Sequence, residues 1–234
     1  MQPALYLIPS LLGDTPVDHV LPPYNREVVL GIRHFIVEEV RTARRFLKQV
    51  DRSIDIDQLT FFTLNKHTPK EEISAMLAPL EQGLPMGVIS EAGCPAVADP
   101  GADVVAIAQR KRLKVVPLVG PSSIILSVMG AGFNGQNFAF NGYLPIDQDE
   151  RTKTLRKLEQ RACSEDQTQI FIETPYRNQK MIQELVKTLK PQTRICVAAA
   201  LTCPEEYICT RTAKEWGAQM PELPKIPCIF LIYK

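Results

Sequence analysis

The segment VISEAGCPAVADPGADVVAIAQ, residues 88–109, predicts how this chain folds. It opens with a buried-strand pattern that ends at Ser90, continues through a loop to Asp99, and passes into a helical pattern. Asp99 and Pro100 are typical of a helix N-cap and of the first helical position. A strand joined to a helix in this way predicts a β-α unit, from which parallel α/β sheets are built.

The rest of the first half repeats this alternation. Short apolar strand patterns and longer helical patterns follow one another, which predicts an open, mostly parallel, doubly wound sheet over residues 1–118. The expected strands are 5–8, 35–38, 59–64, 86–90 and 114–117, and the expected helices are 40–49, 70–80 and 102–111.

Residues 119–234 have a different pattern. The last two expected strands are joined only by the short helical stretch 212–219, which favours antiparallel pairing and a mixed α+β domain. The boundary is predicted near Leu118–Gly120, and small-molecule sites favour clefts between domains. The expected strands are 138–143, 169–173, 194–201, 206–211 and 228–233, and the expected helices are 150–163 and 177–189.

The composition is that of an ordinary globular protein. The chain has 234 residues, 45% hydrophobic and 23% charged, with a net charge of +1, so a nucleic acid partner requires a local basic patch. The start, MQPALYLIPS, lacks the basic segment of a signal peptide, and no apolar run spans a bilayer, so we expect a cytoplasmic protein without membrane association. The six cysteines form no C-x-x-C pair, so we expect reduced thiols and no metal site.

Residues 130–135, GAGFNG, match the dinucleotide-binding pattern G-x-G-x-x-G. That motif requires a strand before it and a helix starting inside it. Here the preceding stretch 122–129 has a helical pattern with Ser122 as N-cap, and a strand pattern follows. We therefore interpret Gly130 and Gly132 as a helix end and a turn.

Two loops carry the expected binding chemistry. The loop after Ser90 offers Gly93 for close backbone approach, Glu91 and no basic residue, so it suits a cationic or nucleoside ligand, although an acidic surface loop has the same composition. The segment VVPLVGPSSIILSVMG, residues 115–130, places serine hydroxyls and N–H groups at a helix start, where a carboxylate binds well. Together the loops suit S-adenosylmethionine, which combines a sulfonium, an ammonium, a carboxylate and a neutral adenosine.

The motif order resembles that of a known family. SEAGCPAVADPG, VVPLVGPSS and FAFNGYLP are similar to segments of the tetrapyrrole methylase-like (class III) S-adenosylmethionine-dependent methyltransferases, and most of all to the ribosomal RNA small subunit methyltransferase I group. That group shows S-D-A-G-T-P-x-x-S-D-P-G at residues 90–101, C-E-D-T-R at 37–41 and E-x-P-H-R at 173–177. The resemblance implies a two-domain fold with a cofactor cleft between the domains. It also implies a homodimer that 2′-O-methylates a cytidine of small-subunit ribosomal RNA.

The chain departs from that group on segments that face the substrate. Its H-E-H-N segment is NKHT here, at residues 65–68, and the group's Thr, Asp, Thr and His are replaced by Cys94, Glu39, Val40 and Tyr176. Two alternatives therefore stay open. One is a methylase of a small molecule such as a tetrapyrrole, and the other is a non-catalytic module that binds S-adenosylmethionine.

The resemblance also implies which residues contact S-adenosylmethionine. Most of them lie on the first loop and on the two loops described above, and two lie in the second half of the chain. They are Pro9, Ser10, Ala92, Gly93, Cys94, Val97, Ser122, Ser123, Glu173 and Ala199.

Three residues are candidates for the base that a hydroxyl acceptor requires. Glu38 and Glu39 follow a predicted parallel strand, at the edge of the sheet that usually carries function. They are equally expected to do no more than cap the following helix. His67 is the third candidate, with a loop residue without function as the alternative.

A run of basic residues follows these carboxylates. Arg41, Arg45 and Lys48 share one helix face at spacings i, i+4 and i+7, with Arg44 beside them. A solvated face is the ordinary interpretation of such a run. Because the helix follows Glu38 and Glu39 directly, we expect it to bind RNA.

Overall fold

The computed structural model describes residues 1–65, 68–223 and 225–234, and within them the chain forms two compact units, Met1–Ser122 and Ser123–Lys234. The division falls after Ser122, whereas the sequence placed the boundary after residue 118. The roles assigned to the two parts stay predictions.

The first unit is built on a parallel sheet, as predicted. The strand order is β3-β2-β4-β1-β5, and every described pairing is parallel. The strands are β1 (Leu5–Ile8), β2 (His34–Val37), β3 (Thr60–Thr63), β4 (Met86–Ile89) and β5 (Val115–Pro117). The helices are α1 (Val17–Val20), α2 (Pro23–Leu30), α3 (Val40–Val50), α4 (Lys70–Met76), α5 (Ala78–Glu81) and α6 (Gly101–Arg110).

The alternation of side chains along β1 explains why helices cover both faces of this sheet. Successive side chains of a strand point to opposite faces. Tyr6 and Ile8 belong to a core cluster with residues of α2 and α3, whereas Leu5 and Leu7 belong to a cluster with residues of α4, α5 and α6. The doubly wound arrangement is confirmed.

The structure corrects the predicted helices of the first unit in two places. The expected helix 70–80 is two helices, because Pro79 occupies the start of α5 and cannot donate to the preceding turn. Helices α1 and α2 were not predicted. Each begins after a proline, at Pro16 and Pro22, in a stretch with weak apolar periodicity.

The second unit contains a mixed sheet of strand order β6-β7-β10-β8-β9. The β6–β7 pair is parallel and the other pairs are antiparallel, so the mixed character is confirmed. The strands are β6 (Phe138–Tyr143), β7 (Thr168–Glu173), β8 (Arg194–Ala199), β9 (Tyr207–Thr212) and β10 (Cys228–Tyr233). The helices are α7 (Ser123–Ala131), α8 (Gln148–Ser164), α9 (Asn178–Thr188) and α10 (Ala213–Ala218).

The core of the second unit lies between this sheet and helices α8, α9 and α10. Phe171 and Phe230 stack with their ring centroids 5.8 Å apart, and Trp216 is fully buried with its indole N–H donating to the Ile195 carbonyl at 2.9 Å. The GAGFNG segment lies between α7 and β6, and Gly132 has φ +70°. A helix therefore precedes these glycines and a strand follows them, which excludes the dinucleotide-binding arrangement.

Candidate functional site

The carboxyl ends of β1, β2, β4 and β5 lie at one edge of the first sheet, because these strands are parallel. In strand order, β2, β4, β1 and β5 are neighbours there. The loops that follow them carry most of the predicted site residues. Ligands of open α/β sheets bind outside this edge.

A backbone hydrogen bond holds the loop after β1 against the loop after β4. The Ser10 N–H donates to the Gly93 carbonyl at 3.0 Å, and the buried Ser90 hydroxyl donates to the same oxygen at 2.7 Å. Two predicted cofactor residues, Ser10 and Gly93, are thereby brought together. Pro9, which precedes Ser10, is buried at the end of the strand.

Two glycines let these loops meet the loop after β5. Gly93 has φ +73°, and a Cβ there would lie 3.1 Å from the Pro121 carbonyl oxygen. A Cβ on Gly120 would overlap the Pro9 ring, 2.6 Å from its Cγ. The sequence identified Gly93 as a site residue but missed Gly120.

Cys94 contributes a hydrogen-bond donor to this junction. Its thiol donates to the Pro121 carbonyl at 3.4 Å, and burial raises the pKa of the thiol above its usual range. A neutral, bonded thiol is a poor nucleophile. Cys94 therefore ties the loop after β4 to the loop after β5.

The Ser10 hydroxyl is buried without a hydrogen-bond partner in the described part of the chain. The residue is 3% exposed, and its Oγ has no hydrogen-bond partner within the described part of the chain. Burying an unbonded hydroxyl costs roughly 1–3 kcal/mol. Such an atom at the ligand edge of a sheet is expected to bond a polar atom of the ligand.

The remainder of the loop after β4 adopts a strained but well-held conformation. Ala96 and Ala98 have φ of +67° and +54°, a region that alanine adopts at a cost. The Asp99 carboxylate stabilises the loop by accepting from the N–H groups of Ala96 at 3.1 Å and Gly101 at 2.7 Å. Neither alanine was expected from the sequence, since nothing in their residue type indicates positive φ. Ala92 and Val97, two predicted cofactor residues, are exposed on this loop.

Three carboxylates meet beside this loop, and we call Glu38, Glu91 and Asp99 the acidic edge. Several effects together raise the pKa of Glu38 to about 7, of which partial burial is the largest, followed by the charge of the Asp99 carboxylate and a hydrogen bond with it. The charge of Glu91 raises the pKa further, and a backbone hydrogen bond from Glu91 partly opposes it. The sequence identified Asp99 only as a helix cap.

The other two candidate bases have different positions. The Glu39 carboxylate caps α3 by accepting from the Arg41 N–H at 3.0 Å. Thr42, in the first turn of α3, donates to Glu91 at 2.7 Å and so joins the helix to the acidic edge. His67 lies outside the described residues.

The structure separates the four basic residues that were predicted to bind RNA. Arg44 lies over the Phe61 ring, 5.6 Å from its centroid. Arg45 and Lys48 line a groove beside α2, and the Lys48 ammonium donates to the Arg52 carbonyl at 3.1 Å. Arg41 is exposed on the first turn of α3 and does not line that groove.

The remaining predicted cofactor residues are at the division and in the second unit. Ser122 ends the first unit, and Ser123 begins α7. Glu173 is buried, accepts from the Thr174 N–H at 2.7 Å and pairs with Arg177 at 3.1 Å. Ala199 is buried at the end of β8. Their role in binding stays a prediction.

The described ranges bear on metal binding and on membrane insertion. Outside residues 66, 67 and 224, no group of three His, Cys, Asp or Glu side chains is placed to hold a metal ion. Among the helices of those same ranges, none has the length and apolarity needed to cross a bilayer.

The sequence of this chain is similar to those of known methyltransferases. Residues 17–216 match the sequence model of the tetrapyrrole (corrin/porphyrin) methylases. The chain is 27% identical over 206 residues to the ribosomal RNA small subunit methyltransferase I of Vibrio cholerae, covering 88% of this chain and 67% of that protein. It is 29% identical over 175 residues to its counterpart in Haemophilus influenzae, covering 74% of this chain and 60% of that protein.

Solved structures with the same fold include tetrapyrrole methyltransferases. The methyltransferase CobJ superposes with a TM-score of 0.63 at 15% identity, over 99% of this chain and 94% of that one. Uroporphyrin-III C-methyltransferase from Thermus thermophilus, complexed with S-adenosyl homocysteine, gives a TM-score of 0.56 at 15% identity over 99% and 97% of the two chains. At these identities the likeness concerns the fold.

Proposed function

This chain belongs to the tetrapyrrole (corrin/porphyrin) methylase family of S-adenosylmethionine-dependent methyltransferases, and on that premise we propose that it methylates a ribose 2′-hydroxyl of small-subunit (16S) ribosomal RNA. The curated relatives named above support the RNA substrate. The chain matches only 60–67% of their length, so their activity is carried over here as a proposal.

The edge of the first sheet fits S-adenosylmethionine. The buried Ser10 Oγ lacks a partner among the described residues, and residues 90–100 include no basic side chain that would favour a phosphate. The cofactor supplies a methyl group made electrophilic by a sulfonium. The residues that would hold it from the first unit are Pro9, Ser10, Ala92, Gly93, Cys94, Val97 and Ser122.

Glu38 is our proposed general base. A ribose hydroxyl must lose its proton as it is methylated, and a base is most effective when its pKa lies near the working pH. Burial and the Asp99 carboxylate place the pKa of Glu38 at about 7. Glu39 is less suited, since its carboxylate caps α3.

One observation carries this proposal. The loops joined at Ser10 and Gly93 follow β1 and β4, and Glu38 follows β2, which is the neighbour of β4 on its other side. A proton acceptor and an unsatisfied polar group are thereby set on three adjacent strands of one sheet edge. Alignment of reactants at such an edge contributes up to roughly 7–11 kcal/mol to catalysis in favourable systems.

The test is methyl transfer from isotopically labelled S-adenosylmethionine to unmodified small-subunit RNA or reconstituted small subunits. Because 2′-O-methylation removes the nucleophile of alkaline cleavage, the label is expected in an alkali-resistant dinucleotide. Label in the mononucleotides released by alkali would refute methylation at the ribose 2′-hydroxyl. Label in a tetrapyrrole but not in RNA would identify a small-molecule methylase, and cofactor binding without transfer to any acceptor would identify a non-catalytic module.

We further propose a cytoplasmic location, where ribosomal RNA is modified in bacteria, and a homodimer. The charge balance of the chain is compatible with a small local RNA surface. Light scattering of the purified protein tests the dimer, and a molar mass near 26 kDa, that of the single chain, would refute it.

A further inference from the structure

A groove of about 1060 Å³ lies within the first unit, beside α2 and the second half of α3. We call it the α2–α3 groove. Its apolar floor includes Leu21 and Val50, which are buried, and its basic residues are Arg26, Arg45, Lys48 and Arg52. The sequence identified only Arg45 and Lys48, because the other two lie on a missed helix and after the end of α3.

The charges of this groove are unequally paired. Four basic side chains line it against two carboxylates, Asp14 and Asp18. Arg26 forms an ion pair with Asp51, which caps the end of α3. Arg45 and Arg52 are exposed, and in the described ranges neither has a carboxylate partner. The groove therefore carries more positive than negative charge.

The groove is also connected to the proposed active site by two segments. Helix α3 starts directly after Glu39 and is 11 residues long, so it spans about 16 Å. The loop after β1 carries Ser10 near its start and Asp14 at the groove. Each strand of double-stranded DNA has one phosphate for roughly every 3.4 Å of helix axis, and on that scale this distance corresponds to a few nucleotides.

We propose that the α2–α3 groove binds the RNA backbone a few nucleotides from the methylated ribose, with phosphates on Arg45, Lys48 and Arg52 and a ribose or base against the apolar floor. This inference rests on the proposed function. Cations beside an apolar surface suit single-stranded nucleic acid, whose phosphates need charge and whose bases need contact area. Arg44, committed to the Phe61 ring, is not part of the surface.

The experiment compares two charge-matched double variants. R45Q/R52Q removes two cations of the groove, and K153Q/K157Q removes two exposed cations of α8 in the second unit. The probe is a fluorescent single-stranded fragment of small-subunit RNA, titrated from 50 to 200 mM salt. With about 0.7 counterions released per phosphate contact, we expect R45Q/R52Q to reduce the slope of log affinity against log salt by about 1.4. We expect K153Q/K157Q to leave it unchanged.

Methyl transfer is measured separately, so that the two proposals fail independently. If the unaltered protein methylates RNA and the groove variant has an unchanged KM and salt slope, the groove is refuted and the function stands. If no RNA is methylated but the slope still falls only in the groove variant, the function fails and the groove stands. A protein that binds no RNA at 50 mM salt refutes the groove.

A measurement on the unaltered protein covers the case in which R45Q/R52Q does not fold. Lysine acylation followed by mass spectrometry is expected to show Lys48 protected by the RNA fragment and Lys153 unprotected. Equal reactivity of Lys48 with and without RNA would overturn the proposal.

Discussion

The two ends of α3 differ in how they hold charge. At its start, Glu38, Glu91 and Asp99 form the acidic edge, where partial burial and mutual contact raise the pKa of one carboxyl. Toward its end, Arg45 and Lys48 lie exposed in the α2–α3 groove. One helix of 11 residues therefore has a carboxyl group with a raised pKa before its first residue and a surface of exposed cations toward its end.

The difference shows what burial adds to a cluster of like charges. Partly buried carboxyl groups that share a hydrogen bond interact strongly, so the pKa of one depends on the charge of its neighbours. Exposed charges interact through water and are screened by salt within roughly 8–10 Å. The acidic edge is accordingly suited to proton transfer, and the groove to salt-sensitive attraction of a polyanion.

The largest expected effect is that of Glu38→Gln on methyl transfer. Loss of the general base is expected to slow single-turnover transfer roughly 10²–10⁴-fold without weakening cofactor binding. The unaltered rate is expected to rise with pH through about 7, as Glu38 becomes deprotonated. Glu39→Gln is the control and is expected to retain the rate, since Glu39 caps α3. A Glu38→Gln variant with full activity would show that the acidic edge does not supply the general base.

Gly120→Ala tests the packing of the loops behind the acidic edge. The added Cβ would meet the buried Pro9 ring and Leu21, so we expect a loss of roughly 1–3 kcal/mol in unfolding free energy. We also expect about tenfold weaker binding of S-adenosylmethionine by calorimetry. Gly135→Ala is the control, because its Cβ makes only an ordinary contact at 3.7 Å. Equal behaviour of the two variants would show that the close approach at Gly120 is not needed.

The acidic edge also predicts how stability depends on pH. The pKa of Glu38 rises from 4.5 to about 7 on folding, so the folded state binds more protons between these values and stability falls as pH rises through them. After discounting for exposure, we expect Glu38→Gln to gain about 1 kcal/mol relative to the unaltered protein at pH 8, and little at pH 4. Urea unfolding at both pH values measures this. An equal gain in unfolding free energy at pH 4 and pH 8 would show that the effect of the substitution does not come from the titration of Glu38.

The smallest effect is expected for Arg44→Gln, between the two ends of α3. Removing an exposed cation–π contact with Phe61 is expected to cost about 0.5 kcal/mol in urea unfolding. The salt dependence of RNA binding is expected to stay as in the unaltered protein. A slope reduced as much as in R45Q/R52Q would show that the whole basic run binds RNA, and the boundary of the groove would have to be redrawn.

Much of the fold was predictable because its elements carry local signals. The strand patterns at β1, β4, β6 and β10 and the strongly amphipathic α3 are continuous in sequence, so their existence needed no tertiary information. Helix α2 lacked such a signal, and its first turn is marked mainly by prolines. The Arg26 side of the groove was missed for that reason.

The candidate site was predictable in part. The loop after β4 was identified from Gly93, Glu91 and the absence of basic residues, and the resemblance to a methylase family supplied the rest of the cofactor set. Residue type does not disclose that Ala96 and Ala98 adopt positive φ, since that conformation is imposed by the surrounding contacts. The assignment of these residues to a cofactor remains a prediction for binding experiments.

The sequence by itself determined the strands of both sheets, most of the helices, the parallel and mixed character of the two sheets and the family, because these depend on periodicity and on motifs that are local in the chain. Only the tertiary structure decided which residues share an environment. Glu38 and Asp99 are 61 positions apart, and Arg26 and Arg52 are 26 apart, yet each pair lines one site. Protonation and electrostatic attraction depend on distance and burial in space, and neither is encoded at a single position of the chain.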